Sequence, residues 1–145
     1  MNIPDYHHPV PPPTVIVSET DREALYAVAT SALKNSRIAP AASNVLREIY
    51  RAEIVPDDQL PRNVVAVNSC VDVRDNVAGA NRRIVLVLPG ETNSKPNAVS
   101  VLSSLGAALI GLSEGSSVEW CTASGDRRNI TVLRSTPSSE GSPTD

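Results

Sequence analysis

Ser18-Glu19-Thr20-Asp21-Arg22-Glu23 opens the stretch that decides the fold. It offers two overlapping capping boxes, Ser18 with Asp21 and Thr20 with Glu23, each able to satisfy orphan N–H groups at a helix start. Behind them Leu25, Val28, Ala29 and Ala32 recur at i, i+3, i+4 and i+7. That is one apolar stripe on a helix from about residue 21 to about residue 34. Asn35 and Ser36 stop it, and Pro40 turns Ala39 away from helical ψ. A second helix is expected from about residue 41 to 53. Val45, Leu46, Ile49 and Ala52 share one face, while Arg47, Glu48 and Arg51 face outward. Two amphipathic helices with so short a break make an antiparallel hairpin. At 1.5 Å per residue each arm is about 20 Å long.

Upstream, residues 1–13 read as a disordered leader. Pro9, Pro11, Pro12 and Pro13 remove backbone donors and favour polyproline II. The leader shows neither the basic nor the apolar region of a signal peptide. Thr14 to Val17 is a β-branched run suited to an edge strand. Downstream, Val55-Pro56-Asp57-Asp58-Gln59-Leu60-Pro61 reads as a boundary. After it the period changes, and strands are expected over residues 64–67, 70–74, 82–88, 98–101, 117–122 and 129–134. A single short helix, residues 105–110, is closed by Gly111. From Ser135 onward the chain is Ser/Pro/Thr-rich and reads as a disordered tail. The expected fold is α+β: a helical hairpin over residues 14–55, then an antiparallel sheet carrying one short helix over 56–135, with 136–145 as tail.

The chain has 145 residues, 41% hydrophobic and 20% charged, with a formal net charge of −3. There is no overall basic excess, which speaks against free nucleic acid as the main ligand. Phe is absent, with one Trp and three Tyr, so the core must be aliphatic. No apolar run approaches the ~20 residues that span a bilayer. Cys70 and Cys121 follow neither metal spacing nor a CxxC pattern. They read as two free thiols of a reducing cytosol, with a disulfide as the alternative.

The search for chemistry finds surfaces rather than a reaction centre. His7-His8 is the only histidine pair, and it sits in the leader with no third ligand at metal spacing. Without another histidine, nothing pre-organises a nucleophile and its base. Asp57-Asp58 and the Asp72/Asp75 pair read as solvated charges. No Walker loop or GxGxxG is present. No cofactor or metal is expected, and the chain reads as a non-enzyme. Arg82-Arg83 and Arg127-Arg128 could form a basic patch, although no aromatic residues alternate with them. Trp120 is either core or part of an interface.

Several strings go further than composition can. They are Leu46-Arg47-Glu48-Ile49-Tyr50-Arg51-Ala52-Glu53, Val64-Val65-Ala66-Val67-Asn68-Ser69 and Val85-Leu86-Val87-Leu88-Pro89. The most specific is Ser100-Val101-Leu102-Ser103-Ser104-Leu105-Gly106-Ala107-Ala108-Leu109-Ile110-Gly111-Leu112, followed by Glu114-Gly115 and Trp120. With these the chain resembles the GreA/GreB family of bacterial transcription factors, and within it the group named for regulating nucleoside diphosphate kinase. The link to that kinase is implied by the group's name alone.

The resemblance implies an N-terminal coiled-coil finger and an FKBP-like C-terminal domain. It also implies docking at the rim of the RNA polymerase secondary channel through Ser100, Leu102, Ser103 and Ser104. Ser104 stands where these proteins often carry Pro, which loosens that loop. Cleavage factors of the family carry tip carboxylates that help hold the polymerase's magnesium. Here the tip is Lys34, Asn35, Ser36 and Arg37, followed by Ile38-Ala39-Pro40, with no Asp or Glu. The implied role is a cytoplasmic, monomeric competitor of cleavage factors that does not stimulate cleavage. Indirect contact with nucleic acid inside the polymerase complex fits that role. The alternatives are an FKBP-type peptide-binding or prolyl isomerase domain, and a DNA-binding protein using Arg82, Arg83, Arg127 and Arg128.

Overall fold

Ser18 caps the first helix as its sequence demands, its hydroxyl accepting from the Asp21 N–H at 3.1 Å. Helix α1 follows over Glu19–Ala32, and α2 over Ala39–Arg51. The computed structural model describes residues 13–122 and 124–137. The expected leader, with His7-His8, and most of the expected tail lie outside the described residues. Both helices start about two residues earlier than the apolar pattern suggests. Ala39 is helical after all, because Pro40 falls in the first turn, where its missing N–H has no acceptor to reach. The turn between them is tied by Asn35, whose carbonyl accepts from Ile38 and Ala39 N–H at 3.1 and 2.9 Å.

The hairpin is framed by two short strands, β1 (Ile16–Ser18) and β2 (Glu53–Val55), which pair in parallel. Parallel partners need a long crossover, and the two helices supply it. A 3-10 turn at Asp57–Gln59 follows. Then come β3 (Cys70–Asp75), β4 (Ala80–Val87), β5 (Ala98–Ser100), α3 (Ser104–Leu109), β6 (Ser117–Cys121) and β7 (Arg127–Thr136). The five strands form one curled sheet in the order β5-β4-β3-β7-β6. It is mixed rather than antiparallel, since β5 runs parallel to β4.

Two further expectations are corrected. Residues 64–67 form no sheet strand. Val64 and Val65 are adjacent and both buried, so they lack the alternation of a ladder; Val65 instead exchanges bonds of 2.8 Å with Leu112 and Gly111. Ser135 is strand, not tail: it pairs opposite Val71, is 3% exposed, and its N–H donates to Glu114 Oε2 at 2.9 Å. The β3–β7 ladder carries the chain past the point where composition turns polar.

Leu25, Ala29, Ala32, Ala42, Val45 and Ile49 belong to the same buried cluster as Val71, Leu86, Leu102 and Leu109. The hairpin therefore lies against the sheet domain, with α2 packed on α3. Two carboxylates fasten the start of α1. Asp21 Oδ2 accepts from the Val67 N–H at 3.0 Å. Asp57 takes both the N–H (3.0 Å) and the hydroxyl of Thr20. Burial pushes the Asp21 carboxyl above its ordinary 3.8, the Val67 bond opposes this, and the Asp57 charge adds to the rise. Asp57 is held below 3.8, first by the Thr20 hydroxyl and then by the Thr20 N–H.

The two groups act oppositely with pH. Asp57 binds protons more weakly folded than unfolded, so its contribution is present above pH 3.8 and fades as pH falls through its lowered pKa. Asp21 binds protons more tightly folded, so its cost at neutral pH is relieved as pH falls through its raised pKa. Asp57→Asn is expected to lower the unfolding midpoint at pH 7 and flatten the loss in acid. Asp21→Asn, which keeps an acceptor for Val67, is expected to hold or raise the midpoint at pH 7. Thermal unfolding of both variants between pH 7 and 3 checks this.

Gly106 is where α3 meets β5. A Cβ there would stand 2.0 Å from the Ser100 carbonyl oxygen and 3.0 Å from Val101 Cα, both backbone atoms that cannot rotate away. Gly106→Ala is expected to cost about 3 kcal/mol through this overpacking, read from the urea midpoint.

Candidate partner-docking surface

The loop from β5 into α3 is built from its own serines. The Ser100 carbonyl accepts from the Ser103 N–H at 3.0 Å and from the Ser103 hydroxyl at 2.7 Å. Ser100 Oγ accepts from the Leu102 N–H at 3.0 Å. Ser103 is the N-cap of α3, its Oγ accepting from the Gly106 N–H at 3.0 Å. Both hydroxyls are thus committed within the loop. Leu102 is 6% exposed, while Ser104 stands in solvent. Of the loop residues singled out in the sequence, Ser104 presents the most surface, and Ser100 and Ser103 set its shape.

Lys34, Asn35, Ser36 and Arg37 are all exposed at the turn between α1 and α2. Asn35 Oδ1 accepts from the Arg37 N–H at 3.0 Å, fixing the turn. Because the hairpin lies along the domain, this turn ends beside the 100–104 loop. A cleft of about 470 Å³ separates them, lined on one side by Arg37, Ile38 and Asn44 and on the other by Leu102, Ser103 and Trp120. The structure thus brings together two sets of residues that stand far apart in sequence. The sequence singled out Arg37 and Ile38 as part of the tip but gave no sign that they would face the 100–104 loop. Trp120, on β6, is half-buried, and its indole N–H is buried without a hydrogen-bond partner among the described residues.

The arginine pairs do not make a cluster of free cations. Arg83 forms a two-point bond to Asp72 across β3 and β4, with Nε–Oδ1 at 2.7 Å and Nη2–Oδ2 at 3.3 Å. Arg127 meets Glu119 at 3.1 Å, and Arg128 meets Asp75 at 3.7 Å. The Asp75 carboxyl is held below 3.8, chiefly by the Ala78 N–H, with the Val77 N–H and the charges of Arg128 and Arg82 also lowering it. Asp72 and Asp75, read as solvated charges, are partners in these pairs. Cys70 carries a free thiol, and the Cys121 side chain lies outside the described residues. Among the described residues, no three His, Cys, Asp or Glu side chains gather as a metal site. None of the described helices is long and apolar enough to cross a membrane. Tyr26 and Tyr50 sit away from the cleft, in a shallow groove with Arg22, Leu46 and Ile54.

The order of elements, a hairpin followed by a curled sheet with one helix, recurs in known proteins. The family model "Transcription elongation factor, GreA/GreB, C-term" matches residues 60–136, from just after the 3-10 turn to the end of β7. The chain belongs to the GreA/GreB family. The Regulator of nucleoside diphosphate kinase of Escherichia coli K12 is 31% identical over 123 residues, covering 83% of this chain and 88% of that one. The Shigella flexneri protein of the same name matches to the same extent. Among solved structures, a GreA/GreB transcription elongation factor from Nitrosomonas europaea superposes with a TM-score of 0.66 at 27% identity, over 86% of this chain and 98% of that one. These relatives are regulators and elongation factors by name.

Ser103→Ala removes the α3 cap and is expected to cost about 1 kcal/mol of stability. Ser104→Ala, on an exposed first-turn position, should leave the thermal midpoint almost unchanged. Equal losses in the two variants would show that the cap does not hold this corner.

Proposed function

We propose that this protein is a non-catalytic, cytoplasmic regulator that binds RNA polymerase as a monomer at the rim of the secondary channel. In this reading residues 56–135 act as an FKBP-like docking domain, and residues 14–55 as a short coiled-coil finger. The 100–104 loop makes the polymerase contact, with Ser104 foremost and Leu102 at its edge. The protein competes with cleavage factors for the channel and does not stimulate transcript cleavage. Family membership supports the polymerase as partner.

The observation that carries the rest is the hairpin tip. Lys34, Asn35, Ser36 and Arg37 are exposed and include no carboxylate. Delivering a hard divalent cation takes oxygen anions, and two cationic side chains repel it. Each arm, about 20 Å long, lies against the domain and reaches only as far as the loop. Direct DNA binding is less well supported, because three of the four arginines invoked for it are paired to carboxylates. A prolyl isomerase pocket would need several aromatic walls, and among the described residues Trp120 is the single aromatic one at the cleft.

A competition assay on RNA polymerase against an acidic-tip cleavage factor tests the proposal. Displacement of that factor without any gain in transcript cleavage is the expected result. A folded protein that fails to bind polymerase, or that stimulates cleavage, sinks it.

A further inference from the structure

We infer that the hairpin tip and the 100–104 loop form one composite docking cleft, and that its occupant is a carboxylate-bearing segment of the polymerase. The inference rests on the polymerase-binding reading and adds to it the chemistry of the partner. The loop alone offers little to recognise. The Ser100 and Ser103 hydroxyls are used internally, and at the far wall Thr122 Oγ1 already accepts from the Asp126 N–H at 3.1 Å. The other described groups at the cleft are apolar ones of Ile38, Ala41, Leu102 and Trp120, the exposed Ser104, the unpartnered indole N–H of Trp120, and one charge, Arg37.

Arg37 differs from most of its kind in this chain. Arg47 bonds Asn44, Arg51 bonds Glu48, and Arg83, Arg127 and Arg128 each meet a carboxylate. The Arg37 guanidinium is exposed and makes no hydrogen bond or ion pair among the described residues. Among the described residues no carboxylate lines the cleft. An uncommitted guanidinium beside an apolar wall suits a partner that inserts an apolar side chain and lays a carboxylate on the planar fork, which takes it in two parallel bonds. Arg and Trp are also the residue types that anchor protein interfaces. The tip that cannot deliver acid to the polymerase is thereby suited to receive acid from it.

Binding of RNA polymerase core to the full chain and to Arg37→Glu, Arg37→Lys and Ile38→Ala variants, over a range of salt, tests this. Arg37 is exposed, so its variants are expected to fold, and circular dichroism checks that they do. Arg37→Glu is expected to weaken binding about tenfold or more, with a shallower salt dependence. Arg37→Lys should lose less, and Ile38→Ala a few-fold at unchanged salt slope. Wild-type protein that does not bind at all overturns the polymerase-binding reading itself. Wild-type binding that Arg37→Glu leaves unchanged overturns only the inference. Self-association lost in Arg37→Glu would assign the cleft to a second copy. An Arg37 effect that vanishes on deleting residues 1–12 would assign it to the chain's own leader. Either result also overturns the inference.

Discussion

A close seam between β1 and Gly111 helps hold the hairpin to the sheet domain, and the placement of the hairpin tip depends on it. Ile16 of β1 donates its N–H to the Gly111 carbonyl at 3.0 Å, and the Gly111 N–H donates to Val65 at 2.8 Å. Gly111 has φ +82°, a left-handed conformation, and a Cβ there would stand 2.3 Å from Val15 Cγ1. Only glycine meets both demands without strain. Asp21 and Asp57 then fasten the start of α1 a few residues on. With β1 fixed against the segment after α3, and β2 paired to β1, both ends of the hairpin are anchored. Both helices also bury residues in the core shared with the sheet.

That anchoring sets the reach of the tip. Two helices of about four turns, laid along the domain, end level with the β5–α3 corner. The corner is itself tied by two serines, whose hydroxyls take the Leu102 and Gly106 N–H groups, and Gly106 lets α3 settle onto β5. A mobile finger would be a probe. A finger seated against a rigid corner is one wall of a surface. The same shortness that rules out a deep reach creates the cleft.

The charges follow a similar division. On the sheet Arg83, Arg127 and Arg128 are spent on cross-strand pairs with Asp72, Glu119 and Asp75, solvent-facing pairs that contribute little stability each. Their main effect is to neutralise what would otherwise be a basic face. Lys34 and Arg37 at the tip make no such pair among the described residues.

Much of this was legible in the residues. Ser18 and the stripe Leu25, Val28, Ala29, Ala32 fix the first helix, because capping and a period of 3.6 are local properties. The family strings at 100–112 mark the corner through glycines and serines whose roles are backbone-level. Other features were not legible. That β5 runs parallel to β4 depends on how a loop returns. That Ser135 is buried depends on a ladder partner more than sixty residues away. The tip and the 100–104 loop meet through long-range packing, which includes α2 on α3 and β1 against Gly111, a contact between segments nearly a hundred residues apart. Local sequence determined which elements form and what their surfaces carry. The tertiary structure alone decided which of those surfaces share a cleft, since packing through one aliphatic core, and not any local preference, sets the direction of the hairpin.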